Sequence, residues 1–166
     1  MPRYLYLLRH GDSGEKQPGQ QDKERDLTSR GVRETLLVGS YLYKENTMFD
    51  AVLCSTAKRA KETASLMADA MKFDNEKITE QEDLYEASTR TFFHFISQIK
   101  DQYQTVLCIA HNPAISYLAE SFTKAEIGDM PPCGLAIIKF NIPSWKEVIQ
   151  GNGELQNYIH PGMLGE

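Results

Sequence analysis

A chain of 166 residues with 18 basic and 23 acidic side chains, net −5, lacks the broadly cationic surface that nucleic acid requires, although a local basic pocket for an anion stays possible. Its length and 41% hydrophobic content suit one domain, residues 1–166, burying roughly two-thirds of its unfolded surface. Met1-Pro2-Arg3 leads straight into a short apolar run, so neither a secretory leader nor a membrane span is expected, and Cys54, Cys108 and Cys133, at no metal-ligand spacing, fit a reducing cytoplasm better than a disulfide framework.

Tyr4 to Leu8 is apolar at every position and ends in Arg9-His10-Gly11. A run of that kind predicts a strand covered on both faces, in a sheet whose ligands sit beyond the carboxyl ends of its strands. Asp12 to Arg25 is polar and aperiodic, a loop long enough to cover such a site in part. Asp26-Leu27-Thr28 opens a helix with Thr28 as N-cap and Val32, Leu36, Leu37 and Tyr41 as its apolar stripe. Phe49 to Cys54 predicts a second strand. Ser55-Thr56 begins the next helix, whose packed face is Ala57, Ala60, Ala64, Met67, Ala68 and Met71, with Arg59 one turn in.

Ile78 to Tyr85 is a weaker strand, followed by a helix burying Phe92, Phe93, Ile96 and Ile99. Thr105 to Ala110 is another all-apolar strand, and it too ends in a histidine, His111. Asn112-Pro113 then reads as a helix start with Asn as N-cap. Leu135 to Phe140 makes a last strong strand, and a hairpin around Gly151-Asn152-Gly153, flanked by Trp145–Val148 and Leu155–Ile159, finishes the sheet edge. Strand and helix alternate almost throughout. The expected class is α/β, a three-layer α/β/α sandwich with a mostly parallel central sheet.

In such a sheet Arg9, His10, Arg59 and His111 can converge at one edge. Two fixed cations, two imidazoles and the N–H groups of a helix start suit a dianionic phosphoryl group. Arginine forks neutralise its oxygens, and a neutral imidazole can attack phosphorus to form a phosphohistidine that water then hydrolyses. Gly11 would keep a side chain out of the phosphate's path. Two arginines would repel a metal ion, and no carboxylate or cysteine joins the histidines at ligand spacing.

Leu8-Arg9-His10-Gly11, Asp26-Leu27-Thr28 with Gly31, Ser55 to Thr63, and Ala110-His111-Asn112-Pro113 together resemble the histidine phosphatase (phosphoglycerate-mutase-like) superfamily, and within it the small SixA-type phosphohistidine phosphatases. The resemblance runs nearly end to end. It implies a histidine-phosphatase-like fold, His10 as nucleophile, Arg9, Arg59 and His111 around the phosphate, and no metal or organic cofactor. Larger phosphatases and mutases of the superfamily carry a proton-donating glutamate after the third strand, for which Glu86 is the best-placed carboxylate here and Asp12 the second, whereas SixA-type proteins often have no clear acid at this place. The chain has little room for lid insertions, which suits phosphohistidine on a protein as substrate. A phosphatase of small phosphate esters and a non-catalytic phosphate-binding module are the alternatives, and the oligomeric state stays open.

Overall fold

The computed structural model of the chain describes residues 2–165. β1 (Arg3–Arg9) lies in the middle of the sheet and splits its side chains between two cores. Leu5 and Leu7 enter one, and Leu8 with Tyr6 the other, as the two-residue period of a strand dictates. β1 pairs in parallel with β4 (Thr105–Ala110) and antiparallel with β5 (Leu135–Phe140). With β2 (Ala51–Ser55), β3 (Ile78–Gln81) and β6 (Gly153–Ile159) the order is β3-β2-β4-β1-β5-β6, and only β5 runs against the rest. Helices α1 (Ser29–Lys44) and α2 (Lys58–Met71) cover one face, while α3 (Thr89–Ser97) and α4 (Ala114–Thr123) cover the other. The α/β/α sandwich expected from the sequence is the fold observed.

The core behind α3 and α4 is aromatic. Phe122 packs against Phe93 and, edge to face, against Phe140, with ring centroids 5.2 and 5.0 Å away, and Trp145 closes the row on Phe140 at 6.2 Å. Each fully buried ring of this kind stabilises the fold by roughly 2–3 kcal/mol. Trp145 Nε1 donates to the Tyr103 carbonyl at 2.6 Å, so its polar atom is satisfied inside the core. The three cysteines are free and buried, and Cys54 and Cys108 pack into opposite cores as small hydrophobes.

Four local expectations are corrected. The buried stripe of α1 is Gly31, Thr35, Val38, Gly39 and Leu42, whereas Val32 and Leu36 are exposed. Close approach decides this: a Cβ on Gly39 would lie 2.7 Å from the Ala70 Cβ, and one on Gly31 only 2.2 Å from the Asp12 carbonyl. Ser55 belongs to β2, and α2 starts at Lys58 with Ala57 as N-cap. Helix α4 starts at Ala114, with Pro113 rather than Asn112 as N-cap. The final hairpin joins β5 to β6, and Trp145–Glu147 forms a 3-10 turn within its connection. A short helix, α5 (Pro161–Leu164), ends the described chain.

Candidate active site

Register brings the two histidines together. Arg9 is the partner of Ala110 in the parallel β1–β4 ladder, so the residues that follow, His10 and His111, emerge side by side with ring centroids 5.0 Å apart. The β2–β4 register, which pairs Cys54 with Ile109, sets Ser55 level with Ala110, and Ser55 Oγ lies 2.7 Å from His111 Nε2. Ala57 N–H donates to the same hydroxyl at 3.2 Å. Arg59 is buried in the first turn of α2, above this edge.

The His10 ring is held by its own neighbour. Nδ1 lies 2.7 Å from the Gly11 carbonyl, which can only accept, so Nδ1 carries the proton and Nε2 keeps a free electron pair. Burial lowers the His10 pKa to about 4, helped by the positive charges of Arg59, Arg9 and Arg25. Burial likewise lowers His111 to about 3, with His10 and Arg59 adding to the effect. Both imidazoles are therefore neutral at pH 7.

These low values carry a cost in acid. Between the ordinary 6.5 and about 4 the unfolded histidines bind protons that the folded ones do not, so stability falls as pH falls through that window. Each histidine contributes up to about 1.4 kcal/mol per pH unit. The urea midpoint is expected to drop between pH 7 and pH 5, and to drop less in His10→Asn. An equal drop in the variant would show that other groups govern the acid sensitivity.

A cavity of about 260 Å³ opens at this edge, lined by Arg9, His10, Asp12, Arg25, Arg59 and His111, among others. Met130 seats Arg9, whose Nη1 donates to its carbonyl at 2.9 Å, and Asn112 Nδ2 donates to the same oxygen at 3.0 Å. Two cavity residues hold buried nitrogens with no partner, Arg9 Nε and His111 Nδ1. Buried polar groups are rarely left so, and an oxyanion in the cavity is the kind of group that would satisfy them.

The loop after Gly11 is more organised than its composition suggests. Ser13 bridges to Leu27, and Gly14 N–H donates to the Asp26 carbonyl. Asp22–Glu24 forms a 3-10 turn against α2. From this turn Asp22 accepts from Arg59 Nη2 at 3.0 Å, Tyr85 Oη at 2.7 Å and Arg25 Nη1 at 2.9 Å, and its backbone carbonyl accepts from Arg59 Nη1 at 2.9 Å. The Tyr85 hydroxyl and the two guanidinium groups hold the Asp22 carboxyl well below the usual carboxylate range. Burial, and then the Asp22 charge, push the Tyr85 phenol up to about 12, so it stays a donor.

Of the residues singled out from the sequence, Arg9, His10, Arg59 and His111 meet at one cavity, with Asp12 beside them. Asp12 accepts from the Thr28 hydroxyl at 2.7 Å, which ties it to the start of α1. Gly11 is not a lining residue, and the reason for glycine there differs from the one expected. An added Cβ would meet Thr35 Oγ1 at 2.9 Å and the Gly31 carbonyl at 3.0 Å, so it is α1, not a phosphate, that requires its absence. Glu86 is not brought to this cavity. It is exposed, at φ 55, in a second cavity beyond His111. Sequence reasoning missed Asp22, Arg25 and Tyr85. The only signal was an acid three residues before a base, a spacing common on any polar surface.

The arrangement suits a tetrahedral oxyanion, with the unprotonated Nε2 of His10 and three arginines lining one cavity. The model of the histidine phosphatase superfamily (branch 1) matches residues 5–92, more than half of the chain. An uncharacterised protein of Mycobacterium tuberculosis is 32% identical over 165 residues, covering 93% of this chain and 99% of its own length. The chain belongs to the histidine phosphatase superfamily, and with it to the phosphatases that use a histidine nucleophile. Among solved structures, SixA from Agrobacterium tumefaciens superposes with a TM-score of 0.83 at 23% identity, over 97% of this chain and 99% of that one. The protein histidine phosphatase SixA complexed with tungstate gives 0.82 at 21% identity, with the same coverage. At those identities the likeness is one of fold. Among the described residues no helix is long and apolar enough to cross a membrane.

Proposed function

We propose that the chain is a hydrolase that removes the phosphoryl group from phosphohistidine carried by a protein, through a covalent phosphohistidine on His10. The observation that carries this reading is the His10 tautomer: Nδ1 is tied to the Gly11 carbonyl, and Nε2 is bare beside Arg9, Arg25 and Arg59. Nε2 attacks phosphorus, the bond to the substrate's nitrogen breaks, and that nitrogen takes the electron pair. Water then attacks the phosphorus on His10, releasing inorganic phosphate and restoring the neutral ring.

The arginines bind the equatorial oxygens, where charge accumulates. His111 joins them. With Ala57 N–H donating to Ser55 Oγ, the hydroxyl proton is free to bond His111 Nε2, which leaves the imidazole proton on Nδ1, the nitrogen without a partner. The three free, buried cysteines suit a reducing cytoplasm.

The test is phosphate release from a phosphohistidine-bearing protein and from p-nitrophenyl phosphate, for wild type and His10→Ala. Preference for the phosphohistidine, lost in the variant, supports the reading. Preference for the ester would point to a small-molecule phosphatase, and no turnover of either to a phosphate-binding module.

A further inference from the structure

His111 and Asn112 form a wall shared by two cavities. On one side lie the three arginines. On the other is a space of about 290 Å³ walled mainly by Leu84, Ala87, Phe92, Pro113 and Ala114, with Glu86 as its one charged side chain. Its volume is at the lower edge of the roughly 300–1,000 Å³ of ligand pockets, enough for a ring but not for a large metabolite. We propose that this second cavity is the leaving-group subsite, that it takes the imidazole ring of a phosphohistidine, and that Glu86 accepts from the ring nitrogen distal to phosphorus. The inference rests on the phosphatase reading above and adds to it what recognises the substrate's ring.

Continuity, shape and charge each support it. A phosphoryl group among the arginines must leave its substituent just outside them, and the shared wall of His111 and Asn112 sets the second cavity next to that place. Ala87 and Pro113 offer the apolar surface that a flat heteroaromatic ring needs, and Phe92 and Leu84, fully or almost fully buried beneath them, keep it firm.

The single carboxylate has a chemical use on a ring. An N-phosphorylated imidazole protonated at its distal nitrogen has a cationic ring. When its P–N bond breaks, the electron pair passes to the ring nitrogen and a neutral imidazole departs, keeping the distal proton. A carboxylate at that N–H favours the protonated form, so no acid has to reach the bridging nitrogen. This gives Glu86 a role from outside the arginine cavity, where a donor to the scissile bond would be badly placed. It also separates substrates: an alkyl phosphate has no N–H to offer the carboxylate.

Phosphoimidazole and phosphoramidate test this directly. Both present a P–N bond, but only the first carries a ring. The readout is the ratio of their kcat/KM values in wild type, Glu86→Gln and Ala87→Leu, the last of which fills the cavity. The ratio is expected to fall at least fivefold in each variant. Because Glu86 is exposed, its substitution reports even if Ala87→Leu perturbs folding. Ratios within twofold of wild type in both variants would overturn the subsite while leaving the phosphatase reading intact. A wild type that turns over neither probe nor a phosphohistidine-bearing protein would overturn both.

Discussion

His10→Ala is expected to lower phosphate release by about a thousandfold to a millionfold, the range seen when a covalent nucleophile is removed. Binding should respond differently. Arg9, Arg25 and Arg59 are anchored by Met130, Gly14, Ser13 and Asp22 rather than by His10, so the variant should still bind inorganic phosphate with an affinity within about tenfold of wild type. Alkaline quench of wild type during turnover should trap a phosphorylated chain, with the label on His10 and absent from His10→Ala. The pH profile gives an independent check. Protonation removes the nucleophile's electron pair, and with the His10 pKa near 4 the acid limb of kcat/KM, corrected for substrate ionisation, should lie well below the ordinary 6.5. A label that persists in His10→Ala, or an acid limb at 6.5, would place the nucleophile elsewhere.

How far the sequence alone reached follows from which interactions are local. β1 and β4 were legible because burial on both faces leaves an unbroken apolar run, and a run ending in histidine points to a sheet edge. Their parallel pairing then joined His10 to His111 across a hundred residues. The face of α1 was not legible, since its tightest contacts are made by Gly31 and Gly39, which hydrophobic periodicity does not count. Asp22 and Arg25 were hidden for another reason. They lie in a polar segment without period, and their partners Arg59 and Tyr85 are 37 and 63 residues from Asp22, so only the folded loop reveals the network. Glu86 shows the converse. Its position after the third strand suggested the catalytic edge, but the turn beyond Glu82–Leu84, with Glu86 at φ 55, sets it in the neighbouring cavity.

Arg59 and Asp22 act as one unit, which makes the second large effect measurable as a coupling. A guanidinium has five N–H groups. Asp22 takes one from Nη1 through its backbone carbonyl and one from Nη2 through Oδ2, leaving three for phosphoryl oxygens in an orientation the fork dictates. Arg59→Lys keeps the charge and loses the fork, and should lower kcat/KM by about a hundredfold to a thousandfold. Asp22→Asn nearly preserves shape but removes the charge that holds Arg59, Arg25 and Tyr85 together, and should cost about tenfold through misorientation. Because the aspartate works through the arginine, Asp22→Asn placed in Arg59→Lys should cost less than about twofold more, a coupling on the order of 1 kcal/mol. Tyr85→Phe removes one donor to the same carboxylate and should move kcat/KM in the same direction by a smaller factor. Full additivity of Asp22→Asn and Arg59→Lys would mean that Asp22 serves the site through Arg25 and the loop, and the same cycle run with Arg25→Lys would then carry the coupling instead.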